Sequence, residues 1–546
     1  MDQNNIINMS TFYLRTESIK IEEIKELSVI NEQDKSLIKN LLLPDPCLLE
    51  GSRGTGKSFI LRLAEIEINE NCKNSVCVYM SFNISSLIDT NDPLQFYHWM
   101  LAKTLKSFLN SLRKKGIVIN SDSASLLSND ENERSEEISL NLKSIIKLYE
   151  NSFRDKSDIN IDSLPDIEDV KEAIEIICRE NNLERIYFMF DEAAHVFRPE
   201  QQRQFFSLFK DLRSPYITCN AAIYPGVTYF GNSFEPLHDC IYLKLERDVR
   251  DNDYIEYFKK IVFKQADESF KKIVKTNLDY FITLALSAGG NPRFLLNTIL
   301  DIDSFKSSNI EQVLKKFYRT KIWSEHTDLG EKYFGHKGLI DWGRDFLENN
   351  VIPSIQRYNL NRIESGQDES TIYFWIHKDS PETVKESLRL LTYTGIIRKI
   401  DSGIRATKSQ LGDRYEVKYG CILSLDTKPL NNSKSFFSNL TITKFPEFGK
   451  NSPSYSTVLD LAKVINDDEK IFKESIKNIL AKSIDVLQLL TSWQKKKLKE
   501  ANIKTIADLH NKTESELIDK IYNVGPARAR LMKTAVDAEL LEYISG

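Results

Sequence analysis

Glu50-Gly51-Ser52-Arg53-Gly54-Thr55-Gly56-Lys57-Ser58 decides the reading of this 546-residue chain. Gly51, Gly56, Lys57 and Ser58 stand at the G-x-x-x-x-G-K-[ST] spacing of a phosphate-binding loop. The spacing has a physical reason. Glycines let the backbone fold back until several N–H groups point at one centre, and the following helix turns its positive N-terminal end to the same place. Gly51, Ser52, Arg53, Gly54, Thr55 and Gly56 are therefore expected to wrap the phosphates of ATP. Lys57 would reach the β- and γ-phosphates, and the Ser58 hydroxyl would sit on Mg²⁺. The flanks agree with this. Pro46-Cys47-Leu48-Leu49 reads as a short buried strand, and Phe59 to Ala64 continues as an amphipathic helix.

Outward from the loop, strands and helices alternate. Ser75 to Asn83 reads as a second strand, and Phe96 to Lys115 as a helix whose apolar residues, from Phe96 to Leu112, recur at helical spacing as a core stripe. Ser121 to Glu137 turns to Ser, Asn, Asp and Glu, a composition expected to form an exposed, mobile insertion. Pro165 to Arg179 resumes as a helix. Ile186-Tyr187-Phe188-Met189-Phe190-Asp191-Glu192 is an apolar strand that ends in two carboxylates. Asp191 is expected to orient Mg²⁺, and Glu192 to act as general base on the attacking water.

Tyr216 to Tyr224 is a fourth strand whose one strongly polar side chain, Asn220, either senses the γ-phosphate or caps the strand. Cys240 to Leu245 is a fifth. The alternation predicts a parallel sheet covered on both faces. Helices then run from Asn252 to Asp301, broken at Ser287-Ala288-Gly289-Gly290-Asn291-Pro292-Arg293. An arginine in the first turn of a helix opposes the helix dipole unless an anion lies near, and a bound phosphate would supply one. At the other end, Tyr13 to Arg15 either wraps the adenine or packs as an N-terminal arm.

These elements, in this order, resemble the AAA+ ATPase core and helical lid, and more narrowly the ORC/Cdc6-like branch and its STAND-type relatives. The resemblance covers Phe12 to Phe317. It implies Walker A, Walker B, sensor 1 and sensor 2 roles for Gly51–Ser58, Asp191 with Glu192, Asn220 and Arg293. It also implies ATP and Mg²⁺ as cofactors, and a setting in anti-phage defence or a mobile element. One feature departs from the family pattern: Tyr224 to Pro236 contains no arginine where a neighbour's site would expect a finger.

Downstream, Thr371 to Ile376, Pro381 to Thr394, Ile396 to Ile400 and Ile404 to Lys408 follow in the order of a winged helix-turn-helix. Arg398, Lys399, Arg405 and Lys408 would make its wing basic and able to meet DNA phosphates; packing against protein is the other reading. Asn431 to Ser456 is Asn-, Ser-, Lys- and Phe-rich and looks like a linker. Leu517 to Leu531 resembles a helix-hairpin-helix, with Asn523 in place of its first glycine, and Trp493 to Leu509 looks like the other half of a fold similar to the RNA polymerase α C-terminal domain. Gly525 would offer backbone N–H groups to a DNA phosphate, with Arg528 and Arg530 beside it, although such modules also bind proteins.

The expected organisation is an α/β P-loop NTPase core of AAA+ type with a helical lid, a winged helix and a small all-α helix-hairpin-helix domain. Its boundaries are an arm over 1–40, a core over 41–248 with an insertion near 118–165, a lid over 249–325, a winged helix over 326–430, a linker over 431–480 and the last module over 481–546. Double-stranded DNA, a protein effector or partner subunit, and further copies of the chain are the partners this organisation implies. With a hydrophobic fraction of 41% and no apolar run of membrane-spanning length, a soluble protein without membrane contact is expected. The seven scattered cysteines and the absence of a secretory signal at Met1-Asp2-Gln3 point to the cytoplasm. The net charge of -5 does not advertise nucleic-acid binding, so the DNA expectation rests on local patches.

Overall fold

The computed structural model describes residues 12–82, 93–128, 135–151, 164–192, 199–231, 234–332, 337–407, 409–426, 428–458, 479–487, 490–526, 528–533 and 535–536. The chain divides into two units, Met1–Ser454 and Tyr455–Gly546. Among the described residues no helix is long and apolar enough to cross a membrane.

In the first unit, β1 (Cys47–Glu50), β2 (Ser75–Ser81), β3 (Arg185–Asp191), β4 (Ile217–Ile223) and β5 (Ile241–Lys244) form an all-parallel sheet in the order β2-β3-β4-β1-β5. Strands buried on both faces are mostly apolar, and β4 is buried at every position, with Thr218 and Asn220 as its polar members. On one face lie Phe96, Trp99 and Phe108 of the helix Pro93–Lys114, packed with Phe188 and Phe190. On the other lie Ile60, Leu61 and Ile68 of the helix Lys57–Asn71, with Leu37 and Leu41 of the helix Glu32–Leu41.

The insertion is partly built into this core. Ser121–Ser128, expected to be exposed, is a helix that buries Ala124 and Leu127. Two of its serines bond within the helix: Ser125 Oγ donates to Asp122 O at 2.8 Å and Ser128 Oγ to Ala124 O at 3.0 Å. Ser135–Asn151 is a second helix there, burying Ile138, Leu142 and Tyr149. Residues 129–134 and 152–163 of the expected insertion lie outside the described residues.

After β5, four helices follow over Tyr254–Gln265, Glu268–Thr276, Leu278–Ser287 and Pro292–Leu300. A second sheet comes later: β6 (Tyr373–His377), β7 (Ile397–Arg405), β8 (Leu411–Val417) and β9 (Glu447–Phe448), in the order β7-β8-β6-β9. β8 pairs antiparallel with β6 and with β7, while β9 joins β6 in parallel. The helix Glu382–Thr394 precedes β7 and buries Val384, Leu388, Leu390 and Leu391 together with Ser387, Thr392, Tyr393 and Thr394. Its less buried side carries Glu382, Lys385, Glu386 and Arg389, joined in two i,i+3 ion pairs.

Asn431 to Ser456 corrects the linker expectation. It begins inside the helix Pro429–Ser438 and later contributes β9, and Phe448 is buried against Phe346 and Phe374. Its phenylalanines are apolar anchors in an otherwise polar stretch, which composition averages away. Residues 459–478 lie outside the described residues.

The second unit is small and helical, with Ser492–Glu500, Ile506–His510 and Glu514–Lys520 around Leu498, Ile506, Leu509 and Leu517. Helices this short need their ends satisfied. Each opens with a reciprocal capping box, Thr491 with Gln494, Thr505 with Asp508 and Thr513 with Glu516.

Candidate functional site

The sheet order fixes where the first unit can hold a ligand. β4 lies between β1 and β3, so the loop after β1 and the acidic end of β3 stand two strand spacings apart, roughly 10 Å, at the carboxyl edge of the sheet. A cleft opens there. It is lined by Tyr13, Arg53, Gly54, Thr55, Gly56, Lys57, Ser58, Glu192 and Arg293. Gly51 and Ser52 form the base of the loop behind it.

The loop folds as its glycines permit. Gly54 and Gly56 have φ of +83° and +101°, and Gly56 caps the helix that begins at Lys57. A Cβ on Gly54 would lie 2.7 Å from Arg293 Cβ and 2.8 Å from Asn291 Oδ1, so the loop and the turn before Pro292 touch at backbone distance. Asn291 Nδ2 donates to Arg53 O at 2.7 Å, and its Oδ1 accepts from Phe294 N, capping the helix Pro292–Leu300. Arg293 Nε donates to Leu14 O at 3.2 Å, and Tyr13 N donates to Gln265 Oε1 at 2.8 Å. The segment around Tyr13 is thereby fastened over the cleft.

Lys57 is buried. Its Nζ donates to Gly51 O at 2.6 Å and Ser52 O at 3.0 Å, and lies 3.9 Å from the centre of the Tyr224 ring. Burial pulls this amine down to about 7, against the opposing pull of Asp191. Burial also lowers the Arg293 guanidinium, and Arg53 lowers it further by like charge. Asp191 is 2% exposed, accepts from the Tyr79 hydroxyl on Oδ2, and accepts from Glu192 N on Oδ1 at 2.9 Å. Glu192 has φ of +54°, uncommon for a residue with a side chain, and burial followed by the Asp191 charge raises its carboxyl.

Asn220 is corrected. It pairs in register with Cys47, at the amino end of β1, three residues short of the carboxyl edge where Glu50 faces Ile223. It is fully buried, accepting from Cys47 N at 2.9 Å and donating to Leu41 O at 3.0 Å. Those bonds tie the helix Glu32–Leu41 to the sheet and keep Asn220 away from the cleft. Tyr224, immediately after β4, occupies the edge position instead, and the signal for it was only its place at the strand's end.

Arg247 has no motif to announce it. It follows β5, is 5% exposed, and donates to Thr55 O at 2.8 Å from Nη1 and to Asp34 Oδ1 at 2.9 Å from Nη2. Tyr257 donates its hydroxyl to Asp34 Oδ2 at 2.9 Å.

The basic stretch of the second sheet is corrected in part. Arg398 is turned inward, pairing with Glu416 at 2.6 Å and Glu246 at 3.7 Å, and these acids raise its guanidinium despite burial. Lys399 pairs with Asp413 at 2.6 Å, and Arg405 is exposed with Nη1 donating to Ser409 O at 3.3 Å. Lys408 lies outside the described residues. The helix Glu382–Thr394 sets Leu390 and Tyr393 against Tyr224 and Val227. In the second unit, Gly525 has open space around it, Arg528 Nη1 donates to Asn523 O at 2.6 Å, and Arg530 lies 3.7 Å from Glu514 with three quarters of its side chain exposed.

No protein-family model and no curated protein matches the chain. Among solved structures, the ORC1 protein of Aeropyrum pernix in complex with DNA is similar to this chain at 11% sequence identity and a TM-score of 0.33, over 78% of this chain and 94% of its own. A superposition that loose identifies neither a shared site nor a shared ligand.

Proposed function

We propose that the chain is an ATP-binding molecular switch of AAA+ type that engages DNA and turns over ATP to reset itself. The convergence of Arg53, Lys57 and Arg293 on one glycine-lined cleft, facing Glu192, carries this reading. Cations drawn this far from water need an anion of several charges, and a triphosphate is one. The residues fit the group. Lys57 and the loop N–H groups would hold phosphates, Arg293 would meet them from the helix Pro292–Leu300, and the Tyr13 segment would cover the base. Ser58 and Asp191 would hold Mg²⁺, whose charge neutralises the phosphates when it is bound. Asp191 accepts two hydrogen bonds and retains further lone pairs for such a role. Glu192, with its carboxyl raised, would take the proton from water.

Calorimetry with ATP and Mg²⁺ tests the reading. Wild type should bind and Lys57→Ala should not; absence of binding by wild type rejects it. A setting in anti-phage defence or a mobile element rests on resemblance, and the genomic neighbours of the gene test it.

DNA engagement is supported by the second unit, where residues 479–536 carry eleven Lys and Arg against six Asp and Glu in a chain of net charge -5. Binding should fall steeply with salt, close to one unit of log–log slope per neutralised phosphate. A second reading makes the chain a scaffold that holds ATP and binds a protein effector. The inward-facing Arg398 favours it for the first unit. Failure to bind duplex at low salt with ATP present, with a protein partner retained, would select it.

A further inference from the structure

The second unit exposes a side chain that its core does not use. After the helix Glu514–Lys520 the chain turns, with Val524 N donating to Ile521 O at 3.1 Å and Asn523 in the left-handed region at φ +65°. Ile521 and Val524 are both buried, pinning the two sides of the turn to Leu517, Ala529 and Met532. Between them Tyr522 is 80% exposed. Ile521 and Val524 take the inward directions, and Tyr522 and Asn523 between them face outward.

The surroundings are basic and aromatic. Arg528, bonded to Asn523 O, lies with its guanidinium 4.9 Å from the centre of the Trp493 ring, and Trp493 is itself 39% exposed. A Cβ on Gly525 would meet nothing within 4 Å, which leaves the backbone beside Tyr522 open to approach. Arg530 extends into solvent nearby in sequence. The excess of eleven Lys and Arg over six Asp and Glu is confined to residues 479–536, the stretch that carries this turn, and there it favours a negative partner.

A duplex offers such a surface phosphates and groove edges but keeps its base faces stacked inside. An unpaired base offers its face, and any base will do. We propose that this turn is a binding site for unpaired DNA, with Tyr522 stacking on an exposed base while Arg528 and Arg530 meet the flanking phosphates. The proposal rests on the DNA-binding reading above and narrows it from duplex to strand ends, overhangs and single strands.

The test uses the full chain with ATP at low salt, and fluorescence anisotropy on three labelled probes: a blunt duplex, the same duplex with an overhang, and a single strand. Overhang and single strand should bind more tightly than the blunt duplex. Tyr522→Ala should lose about 5- to 150-fold on the two probes with unpaired bases and leave the blunt duplex unchanged, whereas Tyr522→Phe should keep the preference. Arg528→Glu with Arg530→Glu should weaken all three. Equal affinity for blunt and overhanging probes, unaltered in Tyr522→Ala, overturns the stacking site while leaving DNA binding in place. Binding to none of the probes overturns both.

Discussion

Arg247 and Asp34 form an ion pair at 2.9 Å that is almost closed to water, and through it separate stretches of chain hold the Gly51–Ser58 loop. Asp34 stands on the helix Glu32–Leu41, Arg247 follows β5, and Tyr257 joins from the next helix. The other arm of the guanidinium holds Thr55 O. A buried pair is held by its further bonds: Asp34 accepts from Arg247, Tyr257 and Asn31 N, and Arg247 donates to both acid and loop, with its Nε left without a partner among the described residues.

Removing one partner should therefore expose the cost of the other. Arg247→Met leaves a buried carboxylate unpaired and should lower stability by about 3–5 kcal/mol, read from denaturant unfolding of the first unit's transition. Arg247→Met with Asp34→Leu should recover much of that loss without restoring ATP affinity, because Thr55 O has lost its donor. Full recovery of both would make the pair purely structural.

Lys57 should make nucleotide binding take up a proton. In the free protein its amine is held down to about 7, whereas an unfolded lysine titrates near 10.4. Between those values the unfolded chain binds more protons, so this residue makes stability rise with pH through that window. Phosphate reverses the shift. Near pH 8, ATP binding should therefore protonate Lys57, and calorimetric heats should differ between buffers of different ionisation enthalpy. The difference should vanish in Lys57→Met if any ATP binding is left to measure, and equal heats for wild type would remove the amine from the phosphate site.

Glu192→Gln should bind ATP and slow its turnover by about 10²–10⁴, as expected for loss of a general base. The variant keeps the size of the side chain at a backbone position already in the left-handed region. Single-turnover hydrolysis is the measurement, and an unchanged rate would strip Glu192 of that role.

The first sheet was legible because buried parallel strands are unbroken apolar runs, and because Gly56 and Lys57 mark a turn that few sequences need. The pairing register was not. Asn220 reads as lying near the strand's carboxyl end because it is the strongly polar residue of an apolar run, yet the edge is set by which residue of β4 faces Glu50, and that residue is Ile223. Arg247 was silent, since it carries no local pattern, and Asp34 reads locally only as the capping-box partner of Asn31, while their pairing spans a long stretch of chain. Ala124 and Leu127 were hidden by serines that bond to their own helix.

Asn220→Ala should accordingly behave as a packing defect. It would leave Cys47 N and Leu41 O without their partners, at about 1–3 kcal/mol for each orphaned group, and leave the nucleotide affinity of the folded protein where it was. Thermal unfolding against ATP titration separates the two. A variant that folds as wild type but loses turnover would return Asn220 to the phosphate site.

Arg398 provides the sharpest contrast with the basic residues of the second unit. Its side chain lies between Glu416 and Glu246, with Nη1 also directed to Arg247 O at 3.4 Å, so its charge is spent inside the first unit. Arg398→Ala would leave Glu416, which is 1% exposed, without its close cation, and should destabilise by about 3–5 kcal/mol. The slope of DNA affinity against salt should not change, because a guanidinium that meets no phosphate releases no counterion. Arg528→Glu with Arg530→Glu should do the reverse, lowering the slope with little effect on the first unit's unfolding. The salt titration and the denaturation curve together decide it: a shallower slope in a stable Arg398→Ala protein would show that the second sheet opens to present this arginine to DNA.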